Sequence, residues 1–155
     1  MATPTVTWWN GDNTAAVTDW AIGTVDAGTV SQATTFTIWN NRAGTTAVAD
    51  MDNCTITTKD ASGGNTGELV INKWIEVKVE TMGETTFSAI GGSVTKAIKA
   101  GGTTVPAGTI SGKINDGTIA GGVDNFAKVT LQANVPATAT AGNVDFLTRV
   151  AYTYN

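Results

Sequence analysis

The chain has no histidine and a single cysteine, Cys54, among its 155 residues. Histidine is the usual general base and the commonest metal ligand, so its absence excludes Ser-His and Cys-His nucleophile pairs. One cysteine cannot close an intramolecular disulfide, and no basic residue stands beside Cys54 in the sequence to activate its thiol. We therefore predict that Cys54 is a small buried residue.

Charged residues are also scarce, at 14% of the chain against about 25% in an average soluble domain. The nine basic residues leave a net charge of −4, which offers no cationic footprint for the phosphates of DNA or RNA. Long apolar runs are missing too, whereas a helix that spans a membrane needs about 20 predominantly apolar residues. These absences predict that neither nucleic acid nor a membrane is a partner.

Threonine and glycine, in contrast, are abundant, with 29 and 18 residues respectively, and together they favour strands and turns. Residues 34–40 predict a half-buried strand in which Phe36 and Ile38 alternate with Thr and Trp. The stretch KWIEVKVE shows the clearest alternation in the chain, and it places Ile75, Val77 and Val79 in the core.

Turn signals separate these segments about every ten residues, a spacing typical of β-sandwiches. Further strands are predicted over residues 5–9, 54–58, 85–90, 109–114, 126–135 and 144–154. Residues 15–22 fit either a short strand or an irregular crossing, and residues 94–100 fit either a strand or a helical turn. The pattern predicts one all-β domain over residues 1–155, an antiparallel β-sandwich.

Paired carboxylates are the remaining catalytic option, as in glycoside hydrolysis, with Glu76 and Glu80 or Asp50 and Asp52 as candidates. Glu76 and Glu80 alternate with a lysine on one strand face, which a solvated and charge-balanced surface explains. A Ca²⁺ site built from Asp50, Asp52 and Asp60 is a further option, but the spacing matches no EF-hand loop. We therefore predict no catalytic residue, no metal site and no cofactor, and a protein that is not an enzyme.

Three tryptophans, Trp9, Trp39 and Trp74, fall on the polar face of their strands by alternation, whereas Trp8 falls on the apolar face with Val6. Three interpretations are open. A loop, the N-terminal arm or a β-bulge covers these side chains; they anchor a protein-protein contact, where Trp is enriched; or they form a platform for sugars. Under the second interpretation, Trp9, Trp39 and Trp74 are the candidate partner-binding residues.

Two stretches resemble known virion and surface proteins. The segment GTVDAGTVSQATTFTIWNN, residues 23–41, resembles the opening of immunoglobulin-like sandwich domains in bacterial and phage surface proteins. The closing segment VPATATAGNVDFLTRVAYTY resembles the last hairpin of small virion sandwich proteins, including decoration proteins on the heads of tailed phages. The resemblance implies an Ig-like, Greek-key topology and a role in binding the lattice of a major capsid protein or other virion proteins, and it assigns no individual functional residue.

The N-terminal stretch MATPTVTWWNGDN has neither the basic region nor the apolar region of a secretory signal. Together with the resemblance, this predicts a virion protein made in the host cytoplasm, with self-association left open. Two alternatives are a carbohydrate-binding module cut from a larger secreted protein and a structural protein of a phage tail or baseplate.

Overall fold

The computed structural model describes residues 1–155, and its regular secondary structure consists almost entirely of strands. In chain order the elements are β1 (Val6–Asn10), β2 (Thr34–Asn40), β3 (Asp52–Asp60), α1 (Glu68–Ile71), β4 (Ile75–Val79), β5 (Ser88–Ile90), β6 (Lys96–Ala97), β7 (Phe126–Ala133) and β8 (Phe146–Thr153). A single 3-10 turn, Glu80–Met82, follows β4. The predicted all-β sandwich is confirmed. None of the helices has the length and apolar character needed to cross a membrane.

Two antiparallel sheets of unequal size face each other. The larger sheet has the order β1-β2-β7-β4-β5, and the smaller has the order β6-β3-β8. A cluster of 21 buried residues joins them and includes side chains from both sheets, such as Ile38 and Val129 from the larger and Ile56 from the smaller. The sandwich is therefore held together by one continuous apolar layer.

The predictions for the central strands are confirmed. The strand predicted over residues 34–40 is β2, and its Phe36 and Ile38 belong to the core. In β4, Ile75, Val77 and Val79 are fully buried, while the intervening Glu76 and Lys78 are only half-buried. β4 follows strict alternation because one face meets the core and the other does not. In β2 the half-buried pattern predicted from the sequence is not kept, because the outer-face residues Thr37 and Trp39 are buried as well.

Residues 11–33 cross one side of the sandwich without forming a regular strand. Their only ladder pairings near the larger sheet are isolated bridges, Trp9 with Ala16 and Val30 with Asn134. Four apolar side chains from this stretch pack against the core: Val17, Trp20, Ile22 and Val25. Of the two structures that the sequence allowed for residues 15–22, the irregular crossing is therefore the one that forms.

The strand predicted over residues 109–114 is wrong. Only Ile110 makes a ladder contact, an isolated bridge to Met51. Gly112 lies so close to the backbone carbonyls of Val48 and Ala49 that a Cβ atom would collide with them. The segment instead passes beneath asparagine side chains, whose amides donate hydrogen bonds to its carbonyl groups. Alternating apolar residues alone could not reveal this close backbone approach.

We predict that Val77→Ala lowers the free energy of unfolding by about 1–3 kcal/mol, because it removes buried methyl groups and leaves a cavity. Val77→Asp should prevent folding, because it places an unpaired charge in the core. The matched control is Val94→Ala, the same chemical change at a side chain that is 43% exposed, and it should alter stability by less than about 0.5 kcal/mol. Chemical denaturation measures all three, and equal stability of Val77→Asp and the parent would contradict the assignment of faces.

Candidate functional site

Trp39 lies on the outer face of the larger sheet, as alternation predicts, but it is completely buried. Its ring packs against that of Phe126 with 4.7 Å between centroids, and its Nε1–H donates to Thr37 Oγ1 over 3.1 Å. Gly122 covers the ring so closely that a Cβ atom at that position would overlap it. The loop before β7 is therefore the cover, and Trp39 offers no surface to a partner.

Trp9 is half-buried on the same outer face, and Arg42 occupies one side of its ring. The guanidinium carbon of Arg42 lies 3.5 Å from the centroid of Trp9 and 5.6 Å from that of Trp39. Arg42 Nε also donates to Asn13 Oδ1 over 2.9 Å, and Asn13 Nδ2 donates to the carbonyl of Gly117 over 2.8 Å. A cation over an aromatic face and a chain of hydrogen bonds thus join three separate loops.

Trp74 requires a correction. It does not share the polar face of Glu76 but belongs to the main core, at 6% exposure. The strand begins only at Ile75, and the preceding Lys73 has a left-handed backbone with φ of 52°. This turn out of α1 breaks the alternation and rotates the indole inward. Its Nε1–H has no hydrogen-bond partner, and the buried ring cannot serve as a contact for another protein.

Two tryptophans that were not among the candidates, Trp8 and Trp20, surround the largest aromatic cluster. Both pack edge to face on Phe36, and Trp20 packs in the same way on Phe146 of β8. A cavity of about 130 Å³ opens between Trp8, Trp20 and Thr148 at this side of the sandwich. One sequence signal could have indicated this arrangement, namely the apolar residues of the irregular segment that contains Trp20.

The carboxylates considered as metal ligands or catalytic pairs are used within the fold. Asp50 accepts a hydrogen bond from the Gly112 N–H, and Asp52 accepts one from the Thr109 hydroxyl. The pKa of the exposed Asp60 is held below its ordinary value, chiefly by the hydrogen bond that its carboxylate accepts from the backbone N–H of Thr66. No group of three or more potential metal ligands lies together.

Glu76 and Glu80 also have partners of their own. Glu76 Oε1 accepts from Gln132 Nε2 over 2.9 Å, and Glu80 Oε1 accepts from the Thr130 hydroxyl over 2.8 Å. Lys78 lies 3.6 Å from Glu80, as the charge-balanced face predicts. The two carboxylates therefore link β4 and the 3-10 turn that follows it to β7, instead of facing a common space.

The loop of residues 113–123 is ordered by its own polar side chains and exposes apolar ones. Asn115 Oδ1 accepts from the N–H groups of Ala43 and Gly117, and Asn115 Nδ2 donates to the carbonyl of Asn41. The hydroxyl of Thr118, with its N–H, holds the pKa of Asp116 below its ordinary value. Three aliphatic side chains of this hydrogen-bonded loop face solvent: Ile114 is 59% exposed, Ile119 is 43% exposed and Val123 is 41% exposed.

No known protein family matches this chain, and no curated protein sequence matches it either. The candidate site consequently depends on the geometry alone. The candidate contact surface is the 113–123 loop, with the half-buried pair of Trp9 and Arg42 beside it.

We predict that Trp39→Ala lowers the free energy of unfolding by about 3–5 kcal/mol, because the ring is fully enclosed within the chain. Tyr154→Ala is the matched control, since that aromatic side chain is 47% exposed, and it should cost less than about 1 kcal/mol. Urea denaturation monitored by circular dichroism measures both. A Trp39→Ala variant as stable as the control would show that the loop does not cover the ring.

Cys54 provides an independent check of the core. It is 1% exposed, and burial, reinforced by the nearby Asp52, raises the pKa of its thiol to about 12. Because the thiolate is the reactive form, we predict no reaction with a chromogenic disulfide reagent at pH 8 until the protein is unfolded. A Ser62→Cys variant, with its new thiol on an exposed loop, should react at once with one equivalent. Rapid modification of the folded parent would contradict the packing described here.

Proposed function

We propose that this chain is a non-enzymatic structural protein of a virion, and specifically a decoration protein that binds the lattice of a major capsid protein. The observation that supports this best is the 113–123 loop, which is rigidly hydrogen-bonded and yet displays Ile114, Ile119 and Val123 to solvent. The resemblance of the closing hairpin to small virion sandwich proteins points the same way. Residence in the virion, after synthesis in the host cytoplasm, is part of this proposal.

The loop has the properties that favour stable protein contacts. Aliphatic side chains release water when a partner covers them, and that gain is not diminished by ordering the backbone if the backbone is already fixed. Here Asn41 and Asn125 fix it from below, with Asn125 Nδ2 donating to the carbonyls of Ser111 and Lys113 over 2.9 Å each. A preordered apolar loop on a charge-poor surface suits repeated binding to a lattice of identical subunits.

A carbohydrate-binding module remains the alternative from a different class, and the aromatic side chains weigh against it. Trp39 and Trp74 are buried, and Arg42 occupies one face of Trp9. The remaining aromatic opening lies beside Trp8 and Trp20, with a volume of about 130 Å³. That is below the range of roughly 300–1,000 Å³ that is typical of pockets for small molecules.

A structural protein of a phage tail or baseplate would use the same surface chemistry, so only the partner distinguishes it from a decoration protein. We therefore predict that the purified chain co-sediments with undecorated capsids of the virus that encodes it at micromolar concentration and raises their melting temperature. Absence of binding to capsids, with binding to tails instead, would favour the tail or baseplate alternative.

Two variants test whether the 113–123 loop makes the contact with the capsid. Exchanging Ile114 and Ile119 together for serine should weaken capsid binding by about tenfold or more, because it removes two apolar anchors. The melting temperature of the free chain should stay nearly unchanged. The matched control is Val30→Ser, which alters a side chain 51% exposed on another loop and should bind like the parent. Equal losses for both variants would contradict the assignment of the surface.

A further inference from the structure

We propose that the free edge of β8 pairs with β8 of a second copy of this chain, antiparallel and about a two-fold axis, to join two smaller sheets into one. This inference goes beyond the proposed function and does not depend on a capsid. It begins from the backbone of the smaller sheet, in which β3 is central and β8 is an edge.

The direction of the β8 backbone groups follows from the hydrogen bonds of β3. The carbonyl of Cys54 accepts a hydrogen bond from Ile98 N–H, and the carbonyl of Thr58 accepts one from Gly92 N–H. The N–H and C=O groups of Cys54 and Thr58 therefore point away from β8. Thr55 and Thr57, the alternate residues, therefore face β8, where they pair with Ala151 and Arg149.

The N–H and C=O groups of the remaining residues of β8 must point away from β3, toward the open edge of the sheet. Thr148, Val150 and Tyr152 are the residues between those that pair with β3, and their N–H and C=O groups form no hydrogen bond outside the ladder. An edge of this kind is a template for another strand.

The other sheet edges are short or covered. β5 and β6 have three and two residues. The outer edge of β1 is covered by residues 15–17, because Val17 N–H donates to the carbonyl of Trp8, and Asn10 N–H to that of Ala15. By contrast, β8 is eight residues long, the outward backbone groups of Thr148, Val150 and Tyr152 are unpaired, and Arg149 is its only charged side chain. The ladder has one bulge, between Asp52 and Thr55 of β3 and opposite the end of β8, and β8 itself has neither a proline nor several charges to protect its edge.

The sequence of β8 suits pairing with itself. The midpoint of the strand falls between Arg149 and Val150. A two-fold axis at Arg149 would place two guanidinium groups directly opposite each other, which is unfavourable. An axis at Val150 instead sets Arg149 opposite Ala151 of the second copy, and Thr148 opposite Tyr152 of the second copy. The outward N–H and C=O groups then meet in matching pairs.

The cavity beside β8 fits this register. Thr148 lines the opening between Trp8 and Trp20. With the axis at Val150, Tyr152 of the second copy, which is half-buried against its own core, lies opposite Thr148 at the rim of this opening. Pairing therefore adds apolar burial to the backbone hydrogen bonds, which favours a second copy as the occupant of the edge.

Sedimentation equilibrium of the full chain tests the proposal. Concentrations of about 1 to 500 μM cover the dissociation constants expected for a modest interface. We expect a monomer-dimer equilibrium. Thr148→Pro removes an outward N–H in each copy and should weaken the dimer by about tenfold or more. Thr148→Val keeps that N–H and should dimerise like the parent. A parent that stays monomeric throughout the range would overturn the proposal.

Cross-linking tests the register without disturbing the core. Arg149 and Ala151 point outward from the smaller sheet, and in the proposed dimer their Cα atoms lie about 4.5 Å apart, within disulfide range. An oxidised mixture of Arg149→Cys and Ala151→Cys chains should form a mixed disulfide dimer, whereas each variant alone should not. Efficient cross-linking of Arg149→Cys with itself, or no cross-linking in the mixture, would overturn the register. The native Cys54 is buried and should not interfere.

Discussion

The structure depends on burying the inner face of a five-stranded sheet with only three strands opposite it. Apolar side chains on β2, β7 and β4 all need cover, but the smaller sheet has only three strands, of which β6 has just two residues. Irregular segments supply what is missing. Residues 11–33 add Val17, Trp20, Ile22 and Val25 to the core, and α1 adds Leu69 and Val70. The cavity at Trp20 and the open edge of β8 both lie where these irregular segments cover the inner face incompletely.

A second layer forms on the opposite face of the larger sheet and has different chemistry. There Trp39 and Phe126 pack together, and Arg42 lies over Trp9 within reach of both indole rings. Since Arg42 also binds the loop that contains Asn13, the aromatic layer and the loop architecture stabilise each other. Asparagine amides, from Asn40, Asn41 and Asn125, then connect these loops to backbone carbonyls across 70 or more residues of sequence. The apolar 113–123 loop owes its fixed shape to this network rather than to regular secondary structure.

The alternation of apolar and polar residues predicted which side chains of the regular strands face the core. It placed Phe36, Ile38 and Val77 correctly because each lies in a strand with neighbours on both sides. It failed where the backbone departs from a strand, as at Trp74 after the left-handed Lys73 and at Ile110 in an isolated bridge. It also could not show that Trp39 is covered, because the cover comes from Gly122, far away in the sequence, and a glycine leaves no signal in a hydrophobic pattern.

The chain has few charged residues, and several of its acidic side chains are engaged in hydrogen bonds within the fold. Asp50, Asp60 and Asp116 accept hydrogen bonds from backbone N–H groups of loops, so they order the chain instead of facing a ligand. Sparse exposed charges remain, for example Asp19, Lys73 and Arg149, and they lie among threonine hydroxyls and exposed aliphatic side chains. Such a surface distinguishes partners by shape and by water exclusion, with little long-range electrostatic attraction, and its association should depend only weakly on salt. Under the proposed function, such a surface would serve a protein that adds to an assembled partner at high local concentration better than one that must find a dilute, charged ligand.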